Sequence, residues 1–245
     1  MADDFFKRLD LSTPAELFRV GMAHYFGDGA KKDLPLAIRY WHVSAEGGHA
    51  EAQYKLSQVY RHGEGVEKDP AQALFYGIMA ANQGHPLAAL DVGISYSVGR
   101  GVEKDLAQAV KYLRLAADQG ILEAQLCLGQ TLINGSGVEK DAVQAVKYFR
   151  LAADRGDCGA QICLGQIFLI GDGVERDLAQ AIKYYRLAAD QGQPLAQYNM
   201  GMFYETGEGV EIDLAMAAKY FSMAAKQGFP PALEKIASLK PPTLH

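Results

Sequence analysis

One interval governs this chain. A Gly-x-Gly pair begins at Gly27, Gly63, Gly99, Gly135, Gly171 and Gly207, always 36 residues apart. An aspartate follows each pair, at Asp33, Asp69, Asp105, Asp141, Asp177 and Asp213. A tyrosine comes next, at Tyr40, Tyr76, Tyr112, Tyr148, Tyr184 and Tyr220, and then a third glycine, from Gly48 to Gly228. Alanine recurs at Ala52, Ala88, Ala124, Ala160, Ala196 and Ala232. GVEKDLAQAVKYLRLAADQG, GVEKDAVQAVKYFRLAADRG and GVERDLAQAIKYYRLAADQG, starting at Gly101, Gly137 and Gly173, are near copies of one another. No insertion breaks the register. A fixed period of this length marks stacked repeats, in which each unit buries its apolar side only against its neighbours.

Each unit reads as two helices punctuated by glycine. AEAQYKLSQVY spaces Ala52, Leu56 and Tyr60 four apart, which puts them on one helical face. Gly63 ends that helix, because glycine adopts the left-handed cap without strain. Asp69 then offers an N-cap, Pro70 fits the first helical position and Gln72 predicts a capping box. The same box is expected at Asp105/Gln108, Asp141/Gln144 and Asp177/Gln180, and another at Thr13/Glu16. The second helix runs to about Asn82 and closes at Gln83-Gly84. Ala73, Ala80, Ala81 and Gly93, with their equivalents, let helices approach closely, while Leu56 and Tyr76 equivalents fill the gaps. Alternating apolar runs are missing, so the chain is predicted to be all-α.

Composition narrows the function classes. The chain has 49% apolar and 22% charged residues, a soluble balance. A net charge of -5 gives no basic face for nucleic acid. Cys127, Cys158 and Cys163 are too few and too oddly spaced for a disulfide framework, and suit a reducing compartment. No apolar run of about eighteen residues suggests a membrane span. MADDFFKRLDLSTPAELF is broken by charges and does not read as a signal peptide. A cytoplasmic location is expected; the alternatives are a secreted bacterial effector, or a periplasmic protein whose signal has been removed.

These motifs resemble the Sel-1-like repeat family, a relative of the tetratricopeptide repeat. Its first-helix pattern is matched by Ala124, Leu128 and Gly129, with Leu132 where the family prefers tyrosine. Its loop is matched by Gly135, Gly137 and Val138, and its second helix by Asp141, Ala145, Tyr148, Ala152 and Ala153. The resemblance covers roughly residues 14–238. It implies a right-handed α/α solenoid, a superhelix of 36-residue repeats spanning 13–238 as one domain. Residues 1–12 would form an N-terminal cap packed through Phe5, Phe6 and Leu9, PPALEKIASL a capping helix, and 239–245 a disordered tail. A cysteine-rich subgroup of the family carries a disulfide within each repeat. Those pairs are missing here, so properties of that subgroup, penicillin binding included, are not expected.

The resemblance also implies a scaffold that binds a protein or an extended peptide, with first helices lining a concave groove. Positions that stay constant between repeats build the fold, and positions that vary on a fixed face are free for recognition. The groove candidates are Lys55, Gln58, His62, Asp91, Ile94, Gln130, Asn134, Gln166, Asn199 and Met202. Lys111, Arg114 and Asp118, repeated as Lys147, Arg150 and Asp154, read as a solvated convex face. A monomer is expected.

Chemistry finds little purchase. A nucleotide loop needs a preceding strand and a lysine-serine/threonine ending, whereas here a helix precedes each Gly-x-Gly. The histidines at 24, 42, 49, 62, 85 and 245 form no metalloprotease motif, and the cysteines lack zinc spacing. His49 and His85 occupy equivalent turns, which suggests a structural role. No catalytic residue, metal or cofactor is predicted. The leading expectation is a non-enzymatic adaptor in bacterial signalling, assembly or host contact. The alternative is an enzyme or small-molecule binder that uses a pocket in the groove.

Overall fold

A computed structural model describes residues 13–239. Thirteen helices and no strand occur among the described residues. In chain order they are α1 (Pro14–Phe26), α2 (Leu34–Glu46), α3 (Ala50–His62), α4 (Pro70–Asn82), α5 (Pro86–Val98), α6 (Leu106–Asp118) and α7 (Leu122–Asn134). Then come α8 (Ala142–Ala153), α9 (Cys158–Ile170), α10 (Leu178–Asp190), α11 (Pro194–Thr206), α12 (Leu214–Lys226) and α13 (Pro230–Leu239). The chain forms two compact units. The first runs to Leu128 and adds Ser136–Val138; the second takes Gly129–Gly135 and everything from Glu139. Within each unit, consecutive helices pack on one another, which is the α/α solenoid arrangement. The expected N-terminal cap, with Phe5, Phe6 and Leu9, and residues 240–245 of the expected tail lie outside the described residues, while Leu239, the expected start of that tail, closes α13 instead.

The glycine loop has a clear physical cause. Gly63 ends α3 at φ 74°, and its N–H donates to the Val59 carbonyl. Gly65 repeats the left-handed conformation at φ 75°, and a Cβ there would lie 2.6 Å from Leu34 of the preceding repeat. So the second glycine serves both the turn and the approach of one repeat to the next. The aspartate then caps the second helix. Asp69 Oδ1 accepts from the Ala71 and Gln72 amides, and Asp105, Asp141, Asp177 and Asp213 accept from the amide three residues on.

One expectation is corrected here. The full capping box forms at Thr13/Glu16, but the Asp/Gln pairs make only its first half. Each aspartate amide already donates to a first-helix carbonyl: Asp69 to Tyr60 at 2.9 Å, Asp105 to Tyr96 at 3.0 Å and Asp177 to Phe168 at 2.9 Å. That bond ties the loop to its own first helix and leaves nothing for the glutamine to accept.

The core repeats with the sequence. Ala52, Leu56, Ala88, Ala124, Leu128, Ala160, Leu164, Ala196 and Met200 are fully buried. A ring on the first helix stacks nearly parallel on the repeat tyrosine of the second. Tyr60–Tyr76, Tyr96–Tyr112 and Tyr204–Tyr220 have centroids 5.9 Å apart, and Phe168–Tyr184 6.1 Å. First-helix glycines make room for a large second-helix side chain. A Cβ at Gly129 would lie 2.9 Å from Phe149, at Gly165 2.9 Å from Tyr185, and at Gly201 2.6 Å from Phe221. In the second repeat both residues are small, Ser57 in the first helix and Gly77 in the second, and a Cβ at Gly77 would lie 3.0 Å from Val92 of the next repeat and 3.2 Å from Ser57.

Candidate functional site

The first helices carry the predicted recognition residues, and the structure sorts them by what each touches. In the first unit, Lys55 extends over aromatic rings of the preceding repeat, its Nζ 4.2 Å from the Tyr25 centroid and 5.5 Å from that of Trp41. A cation held this way stabilises packing and is less available to a partner. Asp91 is engaged as well: its Oδ1 lies 2.6 Å from Arg61 Nη1. Burial raises the Tyr54 phenol above its usual pKa, with the Asp91 charge adding to it and a hydrogen bond from Gln58 opposing. So Tyr54, Gln58, Arg61 and Asp91 form one polar cluster between α3 and α5. Ile94 is half-buried, and His62 is exposed at the end of α3. His62 lines a cavity of about 310 Å³ with Arg61, Lys68, Ser95 and Arg100.

In the second unit the groups are freer. Gln130, Asn134 and Gln166 are exposed. Gln130 Nε2 donates to Asn134 Oδ1 at 3.1 Å. All three line a cavity of about 200 Å³, floored by Ile133, Phe149 and Ile167 and edged by Cys163, Ile170 and Asp172. Ile170 is 61% exposed, an apolar group left at the mouth. Asn199 and Met202 are half-buried and lie outside this cavity. Asn199 Nδ2 donates to the Leu195 carbonyl of its own helix at 2.8 Å.

Cys163 is not activated as a nucleophile. Burial pushes the Cys163 thiol above its ordinary pKa, and the Asp157 charge adds to the shift. A thiol raised this way stays protonated at neutral pH, opposite to what a reactive cysteine needs. Among the described residues, no three His, Cys, Asp or Glu side chains gather as metal ligands, and no helix is long and apolar enough to cross a membrane. His49 and His85 cap α3 and α5, their Nδ1 atoms accepting from Ala52 and Ala88 amides at 3.3 and 3.2 Å.

One recurring set escaped the sequence reading. Gln53, Gln125, Gln161 and Gln197 are buried, and each Nε2 donates to a carbonyl at the end of the preceding second helix: Ala45, Ala117, Ala153 and Ala189. Gln83, Gln191 and Gln227 donate in turn to Gln53, Gln161 and Gln197 at 2.6, 2.8 and 2.9 Å. The 36-residue spacing of these glutamines was the available signal.

Comparison with known proteins agrees with this architecture. The Sel1 repeat profile matches residues 17–49, 50–85, 86–121, 122–157, 159–193 and 194–229. The crystal structure of c5321, a protective antigen present in uropathogenic Escherichia coli strains displaying an SLR fold, is 33% identical, with a TM-score of 0.75. The match covers 95% of this chain and 50% of that one. A Sel1 repeat protein from Oxalobacter formigenes is 29% identical, with a TM-score of 0.63 over 94% of this chain and 66% of that one. This chain thus spans about half to two thirds of the length of these two proteins. No curated protein matches it.

Proposed function

The chain belongs to the Sel1 repeat family, whose members generally mediate protein–protein interactions, and from that membership we propose a non-enzymatic adaptor that binds a polypeptide segment on its exposed first-helix faces. The observation that carries the proposal is the second-unit cavity. Its rim carries carboxamides from Gln130, Asn134 and Gln166 beside Cys163, Ile170 and Asp172, and its floor is apolar. Carboxamides both donate and accept, so they suit a peptide backbone, while the floor suits one apolar side chain. Gln130 and Gln166 share one repeat position, which Ile94 and Met202 hold in two other repeats, and Asn134 stands at a position held by His62, Val98, Ile170 and Thr206 in other repeats. A bacterial protein with a cytoplasmic or host-contact role is the setting this reading favours.

The test is affinity capture from native lysate with wild type beside a Gln130→Ala/Asn134→Ala/Gln166→Ala variant. All three side chains are exposed, so the variant is expected to keep its helicity and urea midpoint. A polypeptide retained by wild type and lost by the variant supports the adaptor reading, and the bound partner should shield Cys163 from alkylation. Equal retention by both proteins counts against the cavity. A captured small molecule with no protein would favour the pocket-based alternative.

A further inference from the structure

A loop cation in one repeat meets a loop carboxylate in the next. Lys140 Nζ lies 2.7 Å from both carboxylate oxygens of Asp172, and Arg176 pairs with Glu208. Both ends have fixed places in the repeat. The cation directly precedes the N-cap aspartate, as Lys140-Asp141 and Arg176-Asp177. The carboxylate sits inside the following glycine pair, as Gly171-Asp172-Gly173 and Gly207-Glu208-Gly209.

One repeat of the first unit inverts this arrangement. Lys68 holds the cation place before Asp69, but the residue inside the next glycine pair is Arg100. The two cations line one cavity of about 310 Å³ together with Arg61, His62 and Ser95, and no carboxylate is among the lining residues. Asp91 answers Arg61. Lys68, Arg100 and His62 are exposed and have no ion-pair partner among the described residues. Like charges facing one cleft repel each other and raise the local potential for an anion, here in a chain whose net charge is -5.

We propose that this cavity receives the side-chain carboxylate of an acidic residue in a bound polypeptide. That group would stand where the repeat places Asp172 and Glu208 at the sister positions. The proposal rests on the adaptor reading, and it adds that the bound segment is acidic where it meets the end of α3. Arg100 presents a planar fork suited to a carboxylate, and Lys68 adds a point charge.

The probe is a fluorescein-labelled octapeptide of alternating glutamate and alanine, followed by anisotropy at low salt. Glutamine and phosphoserine versions and inorganic phosphate serve as comparisons. Wild type should bind the glutamate peptide, weakening as salt rises, and the glutamine peptide at least about tenfold more weakly. Arg100→Glu restores the repeat's own ion pair. It should lose about tenfold or more in affinity for the glutamate peptide, while its urea midpoint stays level or rises. Lys68→Gln should weaken binding without adding a charge, which covers misfolding of the first variant. Equal binding by wild type and both variants overturns the proposal, as does no binding by wild type or equal binding of the glutamine peptide. Tighter binding of the phosphoserine peptide or of inorganic phosphate replaces the carboxylate with a phosphate and also overturns it. A partner that Arg100→Glu retains and the Gln130/Asn134/Gln166 variant loses sinks this site alone and leaves the adaptor reading standing.

Discussion

His42 sits between two tyrosine hydroxyls, its Nε2 3.1 Å from Tyr60 and its Nδ1 3.1 Å from Tyr76. Burial pushes its pKa below the ordinary imidazole range, and the nearby Glu46 charge opposes the shift. A depressed value means that the unfolded chain takes up the proton first as the pH falls. The contribution of His42 is therefore complete above about pH 6.5 and is lost as the pH drops through the lower folded-state value. Urea midpoints at about pH 7.5 and 5.5 should differ less for His42→Gln than for wild type; an equal drop in both proteins would remove His42 from the account. Cys163 gives a second readout. Its raised pKa predicts alkylation slower than that of a free thiol at neutral pH, accelerating only above the ordinary thiol range, and rapid neutral-pH labelling would contradict the assignment. Tyr185 beside it is pushed up to about 12, chiefly by burial and then by the Cys163 charge. The sequence put Lys55 and Asp91 at one variable position of the first helices. It could not show that both are engaged, because their partners arrive from elsewhere: Tyr25 and Trp41 from the preceding repeat for Lys55, and Arg61 for Asp91.

Helix pairing in this molecule depends on matching a small residue with a large one. Gly165 faces the Tyr185 ring, so Gly165→Ala would drive a methyl group to 2.9 Å from that ring. Overpacking of this kind should cost about 1–3 kcal/mol in urea unfolding. A loss below half that range would show that the ring gives way freely. The second repeat departs from this, with two small residues, Ser57 and Gly77, facing each other and Val92 of the next repeat closing in. Both residues stood in plain view at the repeat interval, yet their pairing became readable only once the structure placed position 57 opposite position 77. The glutamines teach a related lesson. Hydropathy marks Gln161 as solvent-facing, but it is buried and satisfies the carbonyl of Ala153 at the end of α8, where a helix leaves its last carbonyls without partners. Gln161→Leu should therefore cost about 1–3 kcal/mol although it adds apolar volume. A neutral outcome would mean that another donor reaches Ala153. Helix limits were legible because caps are local chemistry. The half-formed aspartate boxes were not, because the competing carbonyl belongs to the preceding helix.

Within each unit, packing runs between consecutive helices, and that has a consequence for deletions in the second unit. Deleting residues 158–193 removes one period in register and joins Asp157 to Pro194. The new junction has every partner it needs. Asp157, which now caps α9 through the Ala160 amide, would precede α11, where Gln193 makes no side-chain cap. Gln197 would take the Ala153 carbonyl in place of Gln161, since Ala189 and Ala153 are equivalent ends. Phe203, now tilted 6.0 Å from Tyr185, would meet Phe149 at the same repeat position. The pair of Gly201 and Phe221 lies wholly downstream and is untouched. The shortened protein should thus keep its helicity per residue and unfold cooperatively, at a lower urea midpoint because one interface is gone. Deleting six residues fewer, 164–193, should behave quite differently. It would fuse the start of α9 to α11 with no glycine loop and no second helix between them, leaving apolar faces open to solvent. Circular dichroism and urea titration of the two deletions separate the cases. If the out-of-register deletion folded as well as the in-register one, nearest-neighbour packing at the 36-residue interval would not be what holds this chain together.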